Sequence, residues 1–309
     1  MSSEIVVIGS LNMDMVVQVA RRPERGETLL GSGFFTSPGG KGANQAYAAG
    51  RLGASVAMIG RVGDDVFADQ LIRNLQQAGV DTTCIERVED ESTGVALINV
   101  DREGDNSIVV APGANYRVTP EYVRRHAATI AAAKLVMVQL EIPQESIAEA
   151  IAIAGENSVP VMLDPAPAGQ LPDELLAKVR YIVPNESEIA VLTGVEVSDE
   201  PSARQASAVL RDKGIGTVFS KLGGKGVVVT AADQSFTLPG YRVEAVDTTA
   251  AGDAFAGALA TALVAGKDLR EATAFANAVG ALTVTRAGAQ SSMPDLSETE
   301  AFMKEAGSK

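Results

Sequence analysis

The run Ile5-Val6-Val7-Ile8-Gly9 decides the fold class. Four consecutive apolar residues that end in glycine are typical of a strand buried on both faces of a parallel sheet. Similar runs recur along the chain with segments of helical period between them, so the sequence predicts a three-layer αβα sandwich with a mainly parallel central sheet. Further strands are predicted at 55–60, 134–140, 159–163, 181–183, 217–219 and 227–230, and helices at 42–52, 65–78, 120–133, 144–156, 186–193, 202–213, 252–265 and 269–286.

Two regions interrupt this alternation. Residues 12–19 and 33–37 are predicted as strands with no helix between them, and 94–100 and 106–111 as a hairpin around Asp101-Arg102-Glu103-Gly104-Asp105. Because a hairpin is only marginally stable alone, we expect a small separate β-sheet that covers the main domain as a lid and offers a dimer surface. The predicted division is an α/β catalytic domain of 1–10, 38–93 and 112–309, with lid and dimerisation segments at 11–37 and 94–111.

Composition excludes several functions. The chain has 309 residues and a formal net charge of −13, so nucleic acid and anionic membranes are not expected as partners. The first residues do not resemble a signal peptide, and no run approaches the ~18 apolar residues of a membrane span, which predicts a cytoplasmic protein. One cysteine, Cys84, and one histidine, His126, exclude an intrachain disulfide and a site with several His and Cys ligands.

The strongest local motif is Asp247-Thr248-Thr249-Ala250-Ala251-Gly252-Asp253, which runs into a predicted helix. Small residues at a helix start leave main-chain N–H groups unpaired, and the helix dipole adds positive potential there. This pattern predicts an anion pocket, beside which Asp253 can accept a proton from a hydroxyl group. On these residues alone, an Asp253 that only caps the helix remains an alternative.

Two further motifs suit a polyol. Pro38-Gly39-Gly40-Lys41-Gly42-Ala43-Asn44 allows close backbone approach to a ligand, but it is not a Walker A loop, because no Ser or Thr follows the lysine. Asn12-Met13-Asp14 places an amide and a carboxylate on one face of a strand, where they can grip adjacent hydroxyl groups. Glu141 follows a predicted strand at the edge where ligands of parallel sheets collect. A plain tight turn and a polar strand end are the structural alternatives.

Two weaker motifs follow later strands. In Asn185-Glu186-Ser187-Glu188, the last carboxylate can organise Mg²⁺ through water, since Mg²⁺ commonly keeps several waters. Leu222-Gly223-Gly224-Lys225-Gly226 can lie along nucleotide phosphates. A helix start would explain the first motif, and a hairpin turn would explain the second.

Together these motifs resemble the ribokinase (PfkB) family of carbohydrate kinases, over essentially the whole chain. Residues 39–46 and 247–260 match the two signature regions of this family. The resemblance extends to Gly9-Ser10-Leu11-Asn12-Met13-Asp14, Gln139-Leu140-Glu141, Asp164-Pro165-Ala166-Pro167 and Thr285-Arg286-Ala287-Gly288-Ala289-Gln290.

The resemblance implies transfer of the γ-phosphoryl group of ATP to the 5-hydroxyl of D-ribose, with Mg²⁺, with K⁺ as a monovalent activator, and in a homodimer. It implies a base at Asp253 and an anion hole at Ala250, Ala251 and Gly252. The implied sugar contacts are Asn12, Asp14, Gly39, Gly40, Lys41, Asn44 and Glu141, and the implied nucleotide contacts are Asn185, Lys221, Leu222, Gly223, Gly224, Gly226, Gly252 and Asn277. The implied K⁺ ligands are Asp247, Thr249, Thr283, Arg286, Gly288 and Ser292, and Glu188 matches the water-mediated Mg²⁺ position.

The sequence departs from the family pattern at two of these positions. Lys221 stands where some members have threonine, and Thr283 where some have alanine. Three alternatives stay open: a kinase of 2-deoxyribose or another sugar, a sugar-phosphate kinase, and a sugar-binding regulator without catalysis. The pair Asn12 and Asp14 favours ribose, because a sugar without the 2-hydroxyl would leave buried polar groups unpaired.

Overall fold

The central sheet of the computed structural model, which describes residues 3–103 and 106–307, has nine strands. Their order is β13-β12-β11-β10-β9-β8-β1-β4-β5. Strand β1 lies inside the sheet, third from the β5 edge, and pairs in parallel with β4 and β8, so that Ile5 stands opposite both Val56 and Leu135. Only β12 and β13, at one edge, run antiparallel to their neighbours. The main-sheet strands are β1 Ile5–Ile8, β4 Val56–Gly63, β5 Ile85–Val88, β8 Leu135–Val138, β9 Val161–Leu163, β10 Tyr181–Ile182, β11 Thr217–Lys221, β12 Val227–Thr230 and β13 Ser235–Leu238.

Helices cover both faces of this sheet. Successive residues of β1 belong to different cores: Ile5 and Val7 to one, Val6 and Ile8 to the other. Helices α1, α2, α9 and α10 supply the first core, and α3, α5, α7 and α8 contribute to the second. This arrangement confirms the predicted three-layer sandwich. The helices are α1 Lys41–Arg51, α2 Val66–Gln77, α3 Pro120–Arg125, α4 Ala127–Ala131, α5 Gln144–Glu156, α6 Asp173–Leu176, α7 Glu186–Thr193, α8 Glu200–Asp212, α9 Ala251–Val264, α10 Leu269–Thr283 and α11 Leu296–Gly307.

A second sheet of four strands has the order β3-β2-β6-β7. Its strands are β2 Asn12–Gln18, β3 Gly33–Gly39, β6 Gly94–Val100 and β7 Asn106–Ala111. Strand β2 pairs antiparallel with β3 and parallel with β6, which sets Asn12 opposite both Gly39 and Gly94. The separate small sheet is therefore confirmed as a structural feature. Gly104 and Asp105 of the predicted hairpin turn lie outside the described residues.

Some element boundaries differ from the sequence prediction. The helix predicted at 120–133 is two helices, α3 and α4, because the backbone leaves helical geometry at His126, whose ring packs edge-on against Tyr122 with centroids 4.9 Å apart. The helix predicted at 269–286 ends at Thr283, where the carbonyl of Val284 accepts the N–H groups of Val246 and Asp247. Strand β13 and helices α6 and α11 were not predicted. Every helix in 3–103 and 106–307 is too short or too polar to cross a membrane.

Candidate active site

The candidate site lies at the carboxyl ends of the parallel strands. Strand β1 leads into Ser10 and Asn12, β8 leads to Glu141, β9 leads to Asp164, and β11 ends at Lys221. Helices α1 and α9 begin at the same edge and bring Asn44 and Asp253 together across 209 residues of sequence. This is the edge at which open α/β sheets bind ligands.

The start of α9 has the features of an anion pocket. Ala250 precedes the helix in a left-handed conformation, with φ of 58°, which a non-glycine residue seldom adopts. Among the described residues, no group accepts the main-chain N–H of Gly252 or Asp253, while the N–H of Ala251 donates to the Thr248 carbonyl at 3.3 Å. Two unpaired amides therefore face the region before the helix, where the helix dipole favours an anion.

The carboxylate of Asp253 is buried and held by amides on both oxygens. Asn44 Nδ2 donates to Oδ2 at 2.8 Å, and Gln45 Nε2 donates to Oδ1 at 3.3 Å. Burial raises the pKa of Asp253, although Lys41 acts in the opposite direction. A helix-capping role is not what the structure shows, because the N-cap is Ala250 and Asp253 is the third helical residue.

Lys41 is the first residue of α1, and its main-chain N–H donates to Glu141 Oε2 at 3.1 Å. The same carboxylate oxygen accepts from Ser10 Oγ at 2.5 Å. Burial lowers the pKa of the Lys41 ammonium, but the carboxylates of Asp253, Asp164, Glu141 and Glu188 outweigh burial and raise it. Lys41 consequently keeps a positive charge among these carboxylates.

Asn12 and Asp14 lie on β2, two residues apart, as the motif predicted. Asn115 Nδ2 donates to Asn12 Oδ1 at 2.7 Å and fixes the amide. The Asp14 carboxylate lies directly against Gly39, at a spot where a Cβ atom on that residue would overlap both oxygens. Burial and, to a lesser degree, Glu141 and Asp253 raise the pKa of Asp14 to about 7.

Asn185 and Glu188 form a capping box at the start of α7. Glu188 Oε2 accepts from the Asn185 main chain at 2.8 Å, and its Oε1 accepts from Asn185 Nδ2 at 2.8 Å. The structural alternative for this motif, a helix start, is therefore present in the molecule. Burial raises the pKa of Glu188, Asp164 raises it further, and Lys221 opposes both.

The predicted nucleotide loop lies between β11 and β12. Gly223–Lys225 forms a 3₁₀ turn, and Gly226 has a φ of 105°, which requires glycine. Lys221 Nζ lies 3.6 Å from Asp164 Oδ1 and 3.2 Å from the place that a Cβ on Gly252 would occupy. The structure thus brings Lys221 to the start of α9. Asn277 lies on α10 and donates to the Pro239 carbonyl at 3.4 Å.

The predicted monovalent-cation residues lie on two neighbouring segments, one before α9 and one that starts at the last residue of α10. Asp247 joins them: its Oδ1 accepts from the Thr249 N–H at 2.9 Å, and its Oδ2 accepts from the Gly288 N–H at 2.8 Å. Three side chains turn to other partners: the Thr283 hydroxyl bonds Val279 O, Arg286 bonds Glu298, and the Ser292 hydroxyl bonds Ala289 O. Any metal contact from these three would come from main-chain carbonyls. Across the described ranges, no group of three or more His, Cys, Asp and Glu side chains could hold a metal ion.

Comparison with known proteins shows the family of this chain. The model of the pfkB family of carbohydrate kinases matches residues 2–296. The chain belongs to the pfkB family. The resemblance inferred from the motifs is thereby confirmed.

Individual relatives of this pfkB-family chain cover it almost completely. The ribokinase of Haemophilus influenzae is 46% identical over 99% of this chain and 100% of its own length. The deoxyribokinase of Salmonella typhi is 39% identical over 97% of this chain and 98% of its own length. The solved structure of Arabidopsis thaliana ribokinase complexed with ribose and ATP superposes with a TM-score of 0.93 at 33% identity, covering 98% of this chain and 99% of that one.

Sequence reasoning assigned no role to several polar residues that the pfkB-family fold buries beside the site. Gln45 Nε2 donates to Asp164 Oδ2 at 2.7 Å, and Gln139 Nε2 donates to Gln45 Oε1 at 2.7 Å. The sequence feature that could have identified Gln45 and Gln139 is a polar side chain at a position that the apolar pattern assigns to the core. Asn115 had no such signal, because it follows the lid hairpin in a segment without a motif. Further unassigned polar residues of the site include Ser10, Asp164 and Gln290.

Proposed function

We propose that this pfkB-family chain is a ribokinase, which transfers the γ-phosphoryl group of ATP to the 5-hydroxyl of D-ribose and releases D-ribose 5-phosphate and ADP. One observation carries the proposal: the buried Asp253 carboxylate stands next to the unpaired N–H of Gly252 at the start of α9. A base and an anion pocket side by side are what phosphoryl transfer to an alcohol requires.

Asp253 is the base of the proposed reaction. Phosphoryl transfer passes through a loose transition state, so positioning and neutralisation of charge matter more than the strength of the base. Asn44 and Gln45 hold the carboxylate in place, and each of its oxygens keeps a lone pair for the hydroxyl proton. Within the 250–252 segment the unpaired N–H of Gly252, together with the charge of Lys41, would offset the negative charge that develops on the transferred group.

The sugar site is proposed to lie between β2 and the start of α1. Asn12 and Asp14 would bind adjacent hydroxyl groups, and the main chain at Gly39 and Gly40 would approach the ring closely. Lys41, Asn44 and Glu141 complete the set of proposed contacts. The fixed amide of Asn12 and the carboxylate of Asp14 favour ribose over 2-deoxyribose, because the sugar without the 2-hydroxyl would leave one of them unpaired.

ATP is proposed to lie along the loop of Leu222, Gly223, Gly224 and Gly226, with Asn185 and Asn277 at its borders. Lys221 would exchange its contact with Asp164 for a phosphate oxygen, because its ammonium already stands over Gly252. Mg²⁺ would neutralise the phosphates and be held near Glu188 through water, since both Glu188 oxygens already accept hydrogen bonds.

K⁺ is proposed to bind between the two segments that Asp247 joins. The Asp247 carboxylate accepts two N–H groups, which lower its pKa against the effect of burial and keep it charged. A carboxylate with main-chain carbonyls of Thr249, Thr283, Arg286, Gly288 and Ser292 is an oxygen donor set that suits a hard cation. The ion would fix the geometry of the α9 start and would not contact substrate.

The four-stranded sheet is proposed as the lid, in the division given from the sequence, and as the contact surface of a homodimer. Phe34, Leu97 and Val109 are 61%, 49% and 67% exposed on this sheet, and an apolar surface of this kind is typical of a protein interface. Closure of the lid over the sugar would exclude water, which otherwise competes with the 5-hydroxyl group.

The decisive experiment measures ADP release from ATP across a panel of sugars, with and without Mg²⁺ and K⁺. We expect turnover with ribose, much weaker turnover with 2-deoxyribose, none without Mg²⁺, and a marked loss when a large organic cation replaces K⁺. A preference for 2-deoxyribose would make the chain a deoxyribokinase. Ribose binding without turnover would indicate a sugar-binding regulator and would overturn the proposal.

A further inference from the structure

Three amide side chains form a continuous line that ends on Asp253. Asn74 Nδ2 on α2 donates to Gln290 Oε1 in the turn between α10 and α11. Gln290 Nε2 donates to Asn44 Oδ1 at 3.0 Å, and Asn44 Nδ2 donates to Asp253 Oδ2 at 2.8 Å. The line therefore connects three separate parts of the chain to one carboxylate oxygen on a fourth.

Every bond in this line points the same way. Each amide accepts through its oxygen and donates through its nitrogen to the next group, so the donating end always faces Asp253. Aligned hydrogen bonds polarise one another, which strengthens the last donor in the line. If the Asn44 amide turned over, its oxygen would face the carboxylate and repel it.

The partners are buried and distant in sequence, so the line is a product of the fold and not of local chain geometry. Gln290 is 2% exposed and Asn44 and Asp253 are 6% exposed, whereas Asn74 is half-buried at the outer end. The Gln290 and Asn44 side chains meet across 246 residues. The other Asp253 oxygen has a separate line, from Gln139 through Gln45.

We infer that Gln290 is a positioning residue of the kinase, which holds the Asn44 amide in the one orientation that directs its N–H to Asp253. Asn74 in turn fixes the orientation of Gln290. This inference rests on the proposed function, because it gives Asp253 the role of base. Gln290 touches neither proposed substrate and acts only through Asn44.

The test compares Gln290→Leu with Gln76→Leu in steady-state kinetics with ribose and ATP. Leucine keeps most of the volume of Gln290 but cannot donate to Asn44, so kcat should fall about tenfold while the KM for ATP changes less than about twofold. Gln76 is an exposed α2 residue whose amide bonds Thr82 outside the line, and its substitution should leave kcat unchanged. Melting temperatures of both variants report whether the fold is kept.

A second pair of variants separates positioning from packing. Gln290→Glu has the shape of glutamine, but its carboxylate cannot donate to Asn44, so kcat should fall at least as far as in Gln290→Leu. If packing alone mattered, Gln290→Glu would be the milder change.

Asn74→Leu should lower kcat about threefold, and with Gln290→Leu present it should have no further effect, because both act through one line.

The outcomes distinguish this inference from the proposed function. Lack of ribose-dependent turnover in the unmodified chain would overturn both. Turnover in the unmodified chain, with kcat of the folded Gln290→Leu variant within twofold of it, would overturn the inference alone. If Gln290→Leu fails to fold, an unchanged kcat in Asn74→Leu would overturn it.

Discussion

At the scale of single residues, two carboxylates of the candidate site differ in the hydrogen bonds that they accept. Asp253 and Asp14 are both buried, but Asp253 accepts two amide donors, whereas no described group donates to the Asp14 carboxylate. Both Asp14 oxygens are consequently available to ligand hydroxyl groups, whereas each Asp253 oxygen already accepts one hydrogen bond.

Replacement of Asp253 by asparagine should lower kcat by roughly 10²–10⁴ and leave ribose binding largely intact, because a positioned base contributes about this much. Turnover by rapid mixing and ribose affinity by calorimetry measure the two effects. Asp233→Asn makes the same chemical change at an exposed turn and should behave as the unmodified chain. Near-normal turnover in Asp253→Asn would remove this residue from the role of base.

Replacement of Asp14 by asparagine should stabilise the sugar-free protein above pH 7 and weaken ribose binding. Because folding raises the pKa of Asp14 from 3.8 to about 7, its stabilising contribution is complete at low pH and is lost as the pH rises through about 7. The variant lacks this titration, so its melting temperature should exceed that of the unmodified protein by about 3 °C at pH 8 and by less at pH 5. The KM for ribose should rise about tenfold or more.

A larger stabilisation at pH 5 than at pH 8 would contradict the proposed environment of Asp14. An unchanged KM for ribose would remove Asp14 from the sugar site, whatever the melting temperatures show. The two measurements are independent, since one is made without sugar and the other at a single pH.

At the scale of elements, the close approach of β2 and β3 shapes the proposed sugar site. Asn12 pairs with Gly39 in the register of these strands, and the Asp14 side chain occupies the space that a Cβ on Gly39 would need. The glycine is therefore required by the neighbouring carboxylate, and its φ is not in the left-handed region. The space between β2 and β3 is set by the pairing of the two strands and not by any single residue.

Replacement of Gly39 by alanine should displace the Asp14 carboxylate and raise the KM for ribose at least about tenfold, with the KM for ATP nearly unchanged. Gly155→Ala is the matched control, because a Cβ at this position in α5 meets no atom within 4 Å. Alanine should stabilise that helix slightly and leave both KM values unchanged. Equal effects of Gly39→Ala on both KM values would indicate general damage instead of a sugar-site change.

At the scale of the whole molecule, the four-stranded sheet leaves apolar side chains exposed on a protein that otherwise carries a large negative charge. Leu97 on β6 and Val109 on β7 are paired residues, so they lie on one face of the sheet. Strand β7 is an exposed edge strand. Stable interfaces typically bury roughly 1,200–2,000 Å² and have an apolar centre, which this sheet can supply. This face of the four-stranded sheet is the proposed dimer contact.

Replacement of Val109 by lysine should convert the dimer into a monomer, because the charge would be buried without a partner at the contact. Sedimentation equilibrium measures the change. Val66→Lys places the same charge at another exposed valine, on α2, and should leave the dimer intact. A monomeric unmodified chain would overturn the proposed dimer directly.

Local sequence patterns predict the layers of the fold and the residue types of the candidate site. Apolar runs such as Ile5–Ile8 identify buried strands because a strand covered on both faces needs apolar residues at every position. The small residues at the starts of α1 and α9 predict ligand-binding turns, because small residues let a ligand approach the main chain. Short or polar elements such as β13 and α6 carried too little periodic signal to be predicted.

Which polar groups contact one another depends on tertiary packing. Gln290, Asn44 and Asp253 are far apart in the chain, and their bonds depend on the packing of α1, α9 and the turn after α10. The tertiary structure also decided the charge states, since the raised pKa values of Asp14 and Asp253 come from burial that no linear pattern specifies. Residue type fixes what a side chain can donate or accept, but desolvation and distance are created only when the chain has folded.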